Sequence, residues 1–252
     1  MTKIKDSLDT SDAFKHFTNR SKTYNSSSNW VVDEKFLKLM IDSSKVDPST
    51  ELLDIAVGTG LVSKAFKPFV KSITGIDICD SMASQSSKWI DKFVQDSAEQ
   101  MPFENESFNH CVCRQGLQFM DLDKVLPEVH RILKNNGKVT FAHLTTFGED
   151  DKEETFAIQK LRNPARVNYF DRVLMVNKLE EYNFNIDSVD YFISKESVEK
   201  WINNGAISNS LIENIRDLYK NSSEQFKSLH KIRFEENDVI DSMSFQIITA
   251  SK

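Results

Sequence analysis

The stretch Leu52-Leu53-Asp54-Ile55-Ala56-Val57-Gly58-Thr59-Gly60 decides the fold. Residues 51–56 read as a buried parallel strand, and the residues after them as a tight turn. Glycine at 58 and 60 lets the backbone bend sharply and approach a ligand without Cβ atoms in the way. A helical stretch over 61–70, with Leu61, Ala65, Phe66 and Val70 at helical spacing, leads to a second buried strand over 72–78. Strand, glycine turn, helix and strand in so short a span form a right-handed βαβ unit of mononucleotide-binding size, whose helix aims its first N–H groups at the turn.

The same alternation runs on: a helix over 81–92, strands over 93–95 and 109–114, a helix over 123–133 and a strand over 138–143. Such a pattern predicts an α/β fold, a doubly wound and mostly parallel sheet with helices on both faces. The polar turn Lys134-Asn135-Asn136-Gly137 stops the helix before that strand, with Gly137 expected in the left-handed conformation. After Leu144 the rhythm changes to a polar, largely helical insertion reaching Tyr182. The last strand candidates, 189–193 and 243–250, are separated by helical patterns over 195–203 and 210–220 and are expected to close the sheet as an antiparallel pair. The organisation expected is one domain over 1–252: a helical cap (1–50), a ligand-binding core (51–144), and substrate-side helices with closing strands (145–252).

A chain of 252 residues with 39% hydrophobic content can bury a normal core without staples. Its three cysteines, Cys79, Cys111 and Cys113, lack the paired spacing of a zinc site and read as reduced core thiols, so no metal is expected. A net charge of −6, from 32 basic and 38 acidic residues spread along the chain, argues against nucleic acid as a partner and for a small molecule. Residues 1–12 hold no apolar run, so neither a secretory signal nor an anchor is expected, and no later segment reaches the roughly 18 apolar residues of a membrane span. A cytoplasmic location is the default expectation.

Asp77 ends the second strand, where a carboxylate can accept hydrogen bonds from both hydroxyls of a ribose. That much suits NAD as well. Two features do not: Asp54 lies inside the first strand just before the turn, and Ser63 stands where a dinucleotide site has its third glycine. A carboxylate aimed into the turn attracts an ammonium group and repels a pyrophosphate; alternatively, Asp54 only bonds the loop backbone.

On these residues the chain resembles the class I S-adenosylmethionine-dependent methyltransferases, and within them the group that includes the ubiquinone and menaquinone biosynthesis methyltransferases. The resemblance covers residues 14–144. It rests on Asp54-Ile55-Ala56-Val57-Gly58-Thr59-Gly60, Gly75-Ile76-Asp77-Ile78, and Asp96-Ser97-Ala98-Glu99-Gln100-Met101-Pro102-Phe103. The run 108–119 and Leu133-Lys134-Asn135-Asn136-Gly137 follow in the expected order. It implies a Rossmann-like sheet of seven strands with an antiparallel last strand, and S-adenosylmethionine as cofactor.

By the same resemblance Asp54 and the turn from Ala56 through Val57, Gly58 and Thr59 to Gly60 would hold the methionine portion, and Asp77 the ribose. Ile78 and Met82 would flank the adenine, while Asp96 with the Ser97 and Ala98 backbone would read its edge. Arg114 and Gln115 would lie near the sulfonium and methionine, and Tyr24 on an N-terminal helix would close over the carboxylate. Ala56 departs from the first glycine of many members, although the quinone-type group accepts alanine there. Asn109 replaces an aspartate, and Asn135-Asn136 a proline-glycine, at positions that are structural in the family.

Methyl transfer to oxygen or nitrogen expels a neutral thioether, so positioning and desolvation can supply much of the acceleration, and a base is dispensable. His143, at the carboxyl end of the fifth strand, is the first candidate for one, with a core histidine as the plainer alternative. Gln118 would orient the acceptor or bind backbone. His110 and His130 read as structural; His16 and His230 have no assigned place. Phe156, Tyr169, Phe170, Met175, Trp201 and Phe226 would wall a pocket for an aromatic or isoprenoid-like acceptor, or simply belong to the core. Arg162 and Arg166, four apart on an expected helix face, would receive an acidic acceptor or face solvent. The expected function is therefore S-adenosylmethionine-dependent O- or N-methylation of a small molecule. A non-catalytic S-adenosylmethionine-binding subunit and a nicotinamide-dependent oxidoreductase are the alternatives.

Overall fold

The computed structural model describes residues 24–203, 205 and 207–252, and of residues 82–84 the backbone. Eight strands form one sheet: β1 (Glu51–Ile55), β2 (Ser72–Asp77), β3 (Lys92–Gln95), β4 (Phe108–Arg114), β5 (Leu133–Thr145), β6 (Asn185–Ser197), β7 (Arg233–Phe234) and β8 (Val239–Ser251). Their order is β3-β2-β1-β4-β5-β8-β6, with the two-residue β7 paired to β8 outside that path. The neighbours from β3 to β5 run parallel, whereas β8 is antiparallel to both β5 and β6. The expected seven strands thus gain a short eighth. The strand last in sequence lies inside the sheet rather than at its edge.

Period-2 alternation divides the core between the two faces. Leu52, Val112, Ala142 and Ile247 point to one face, with helices α1 (Asn29–Val32), α2 (Glu34–Ser44) and α3 (Leu61–Phe66). Leu53, Cys111, Cys113, Phe141 and Ile248 point to the other, under α5 (Leu122–Ile132), while α4 (Asp80–Ser86) joins β2 to β3. The cysteines are buried and unpaired with one another, and burial pushes the Cys113 thiol up to about 12.

Several boundaries differ from expectation. α4 stops at Ser86 instead of continuing to 92, because the Ser86-Ser87 pair favours turns over helix and Lys92 must already pair with Thr74. β5 begins at Leu133 rather than 138, so the expected polar turn lies within its first residues, and there the left-handed residue is Asn136 (φ 62°), not Gly137. Gly137 is required by close packing instead: a Cβ there would stand 2.8 Å from the Lys134 carbonyl oxygen. After Leu144 the helix α6 (Lys152–Arg162) ends at Asn163, since Pro164 disfavours helical backbone in the residue before it, and so Arg166 lies in a loop rather than on a shared helix face. Then come α7 (Leu174–Glu181), α8 (Val198–Ile202), α9 (Asn209–Asn221) and α10 (Glu224–Leu229). β6 extends through 195–197, which the sequence pattern assigns to helix.

A buried polar knot ties α6, α9 and α10 to β8. His230 Nδ1 lies 2.8 Å from Asp241 Oδ1 and its Nε2 lies 3.1 Å from Asp151 Oδ2, while the Tyr219 hydroxyl donates to Asp241 at 2.7 Å. The Phe226 ring stacks on the imidazole at 3.9 Å. Burial alone would push His230 down; its two carboxylate partners outweigh this and hold it at about 9.

Candidate active site

The sheet reverses its winding between β1 and β4, and the crevice outside their carboxyl ends is where an open α/β sheet receives a ligand. β1 delivers Asp54 there and then turns through Ala56 (φ 55°), Gly58 (φ 51°) and Gly60 (φ 77°). Ala56 takes a backbone conformation that normally favours glycine, and its methyl group is accommodated because residue 116 has no Cβ. One added at Gly116 would lie 2.8 Å from that methyl and 2.7 Å from Cys113 Sγ.

Asp54 is buried, and its Oδ2 accepts the Ser63 hydroxyl at 2.6 Å, so the residue in the third-glycine position serves the carboxylate. Burial pushes Asp54 up to about 7, against the pull of Ser63 and the Arg114 guanidinium. Asp77 accepts the Gly58 N–H and the Cys79 N–H, each at 2.9 Å, and pins the turn to the end of β2. Burial raises it against those bonds. Each oxygen retains a second lone-pair direction for a ligand hydroxyl.

These residues open onto a cleft of about 1000 Å³. It is lined by Tyr24, Asp54, Ala56, Val57, Gly58, Thr59, Asp77, Ile78, Asp96, Ser97, Ala98, Arg114 and Gln115, all named from the sequence. Gly60 is not in the lining; it packs against Ser86. The Met82 side chain and His16 lie outside the described residues. Sequence reasoning missed Leu61, Val62, Ile76, Glu99, Gly116, Phe119 and Met120 in the lining. Phe119 and Met120 carry no signal beyond being apolar in a loop. Tyr24 opens a short 3-10 turn (Tyr24–Ser26) rather than riding on a described helix, and its neighbour Asn25 accepts the Thr59 hydroxyl at 2.7 Å.

A second chamber, of about 530 Å³, adjoins the cleft and shares Tyr24, Gln115 and Phe119 with it. Gln118, Arg162, Arg166 and Trp201 line it, as does Gln159, which the sequence did not single out. The loop carrying Arg166 is fastened to the 3-10 turn that follows β4 (Leu117–Phe119): the Val167 and Asn168 N–H groups donate to the Gln118 carbonyl at 2.8 and 3.2 Å. Asn168 Nδ2 reaches the Leu117 and Met120 carbonyls at 2.7 Å each. Gln118 Oε1, both amide atoms of Gln159 and Arg166 Nε have no hydrogen-bond partner among the described residues.

His143 does not join these residues. It is buried between β5 and β8, where its Nε2 lies 3.0 Å from Gln246 Oε1 and its ring packs on Phe170 at 4.3 Å; burial pushes it down to about 4. The side chain of residue 143 points into the sheet–helix core rather than the crevice, so it lines neither chamber. Phe170 and Met175 are core, and Phe156 pairs with Tyr169 at 5.4 Å, away from the second chamber's lining. Phe226 lines only a smaller hollow of about 280 Å³ that shares Leu144, Gln159, Trp201 and Met243 with the second chamber. His110, on a central rather than an edge strand, meets Thr140 Oγ1 at 3.0 Å, and His130 packs on Phe184, both as structural residues.

The doubly wound sheet sets a buried carboxylate, Asp54, and a half-buried one, Asp77, at its switch-point turn, and residues 53–141 match the family model described as the methyltransferase domain. Over that segment, about a third of its length, the chain is similar to methyltransferases. Among curated proteins it is 30% identical over 142 residues to an uncharacterized methyltransferase of Bacillus subtilis (strain 168), covering 52% of this chain and 55% of that one. It is 26% identical over 163 residues to a ubiquinone/menaquinone biosynthesis C-methyltransferase of Rickettsia bellii (strain OSU 85-389), covering 59% and 64%. These matches span little more than half of the relatives' lengths. The solved structure of the Bacillus subtilis YcgJ protein superposes with a TM-score of 0.78 at 22% identity, covering 86% of this chain and 97% of that one, a likeness of fold.

Proposed function

We propose that the protein transfers a methyl group from S-adenosylmethionine to oxygen or nitrogen of a small molecule held in the second chamber. The observation that carries this reading is the pairing of an acidic cleft with an adjoining apolar and amide-lined chamber through Tyr24, Gln115 and Phe119. The cleft suits the cofactor by chemistry. Asp54 and Asp96 would meet its ammonium and amine groups, Asp77 its ribose, Arg114 its carboxylate, and Val57, Ile78 and Ala98 the faces of its base. When bound, the cofactor supplies an electrophilic methyl group whose leaving group is a neutral thioether.

The chain's own residues then have two tasks. The turn and the Tyr24 segment hold one reactant, Gln118 and its neighbours orient the other, and the apolar walls exclude water between them. The amides and guanidinium groups of the second chamber are donors rather than bases at neutral pH. An oxygen that arrives ionised, or an amine whose product keeps its proton as an ammonium, needs no base in this chamber, whereas a neutral hydroxyl or a carbon acceptor must shed a proton.

Calorimetric titration of S-adenosylmethionine, its demethylated product and NAD into wild type, Asp77→Asn and Asp96→Ala tests the reading. Both methionine nucleosides bind wild type and lose about tenfold or more in each variant, a change of about 1.4 kcal/mol. Binding of NAD alone would sink the proposal. Binding without turnover on a broad acceptor panel would favour a non-catalytic subunit instead.

A further inference from the structure

The two chambers differ in charge. Asp54, Asp77, Asp96 and Glu99 line the cleft against a single guanidinium, Arg114. The second chamber is lined by Arg162 and Arg166 and, among the described residues, by no carboxylate. A guanidinium withdrawn from water without a countercharge is costly, and a ligand anion is the compensation such a site invites. Among the described residues Arg166 has no acidic group within ion-pair distance and its Nε has no partner; its Nη1 donates to the Asn168 carbonyl at 3.4 Å. Burial pulls its pKa down to about 10, which leaves it charged at neutral pH.

One neighbour adds a free donor: Gln159 is 2% exposed, and both its amide atoms are unpartnered among the described residues, whereas Gln118 Nε2 already donates to Gln115 Oε1 at 2.8 Å. Arg162 is held at the same wall by its Nε bond to the Trp201 carbonyl at 2.8 Å. The rest of the chamber is flat and apolar: Trp30, Phe119, Leu144, Trp201, Met243 and Phe245. Resting on the methyl-transfer reading above, we propose that this chamber takes an acceptor with a carboxylate on a flat, apolar body, the carboxylate paired to Arg166 beside Arg162 and Gln159. A guanidinium fork meets a carboxylate through two parallel hydrogen bonds, and aromatic walls bind the body by area. An uncharged prenyl-like acceptor would leave the half-buried Arg166 without a countercharge. The arrangement also sets an anion against the cleft that receives a cation, so each reactant favours the other's binding.

The test uses 2-naphthoate and its uncharged isostere 2-naphthamide as probes, titrated into the intact protein saturated with the demethylated cofactor and followed by tryptophan fluorescence, since Trp30 and Trp201 line the chamber. Naphthoate binds wild type at least tenfold more tightly than naphthamide; Arg166→Met abolishes that preference and Arg166→Lys restores part of it. Equal binding of the two probes, no binding of either at millimolar concentration, or an unchanged preference in Arg166→Met overturns the proposal. Because the probe comparison needs only wild type, a variant that fails to fold does not decide the matter. Separate titration of S-adenosylmethionine distinguishes the two readings: naphthoate binding without it sinks methyl transfer and leaves the anion site, whereas its binding with a preference for naphthamide does the reverse.

Discussion

Asp54 has its charge set close to neutrality by burial, with Ser63 and Arg114 pulling the other way. A carboxyl raised in this way costs folding free energy as pH climbs from the ordinary carboxylate range to about 7, and a cationic ligand recovers it by binding the ionised form. Affinity for S-adenosylmethionine therefore rises as pH increases through about 7, by up to about tenfold per unit below that point, and levels off above it. Titrations at pH 6, 7 and 8 on wild type and Asp54→Asn check this; a flat wild-type profile would refute it. Asp54 and Asp77 were legible because each is a lone carboxylate interrupting an apolar run beside a glycine turn. His230, Glu196 and Gln159 were not, because what fixes their surroundings lies on other elements and no local pattern announces it. His143 misled for a related reason: position along a strand tells which end a residue occupies, but not whether its side chain faces the crevice or the packed layer.

At the scale of elements, the four residues of α1 carry Trp30 to the second chamber, and buried groups grip the helix at both ends. Glu196 accepts the Asn29 and Trp30 N–H groups at 2.7 and 2.9 Å, and Arg114 donates to the Val31 carbonyl at 2.9 Å. The carboxylate sits where a helix exposes donors, and the guanidinium where it exposes acceptors. Glu196→Ala leaves two N–H groups without their partner, so it lowers stability by about 3 kcal/mol and weakens probe binding in the second chamber more than cofactor binding. Urea unfolding together with the two titrations reads both effects; equal losses at the two chambers would argue against a local strap. Elements with strong periodicity, β1, β2, β4 and α5, fall within a residue or two of their expected bounds. The insertion after β5 was read only as helical, since its amphipathic pieces pack on one another and on β8, and the position of Arg166 depended on a single proline.

For the whole molecule, the His230 knot makes stability depend on pH. A histidine held at about 9 contributes most below its ordinary value of 6.5, and the contribution fades as pH rises from there through about 9. The expected loss across that window is roughly 3 kcal/mol. The urea midpoint therefore falls between pH 6.5 and 9, and His230→Gln both lowers it and flattens the slope; a variant with the wild-type profile would contradict this. The parallel half of the architecture was legible from alternation of strand and helix, whereas the closing strands were seen only as fragments, because a strand buried on both faces lacks a polar register to mark its ends. β8 lies between β5 and β6, both of which precede it in the chain. During synthesis the parallel half can assemble with β5 as an open edge, while β6 has no neighbour in the sheet until β8 emerges to slot between them. The ribosome thus releases most of the second chamber's lining before the strand that adds Met243 and Phe245 and fixes the rest in place, and ligand competence arrives as a late, nearly all-or-none event in the life of each new chain.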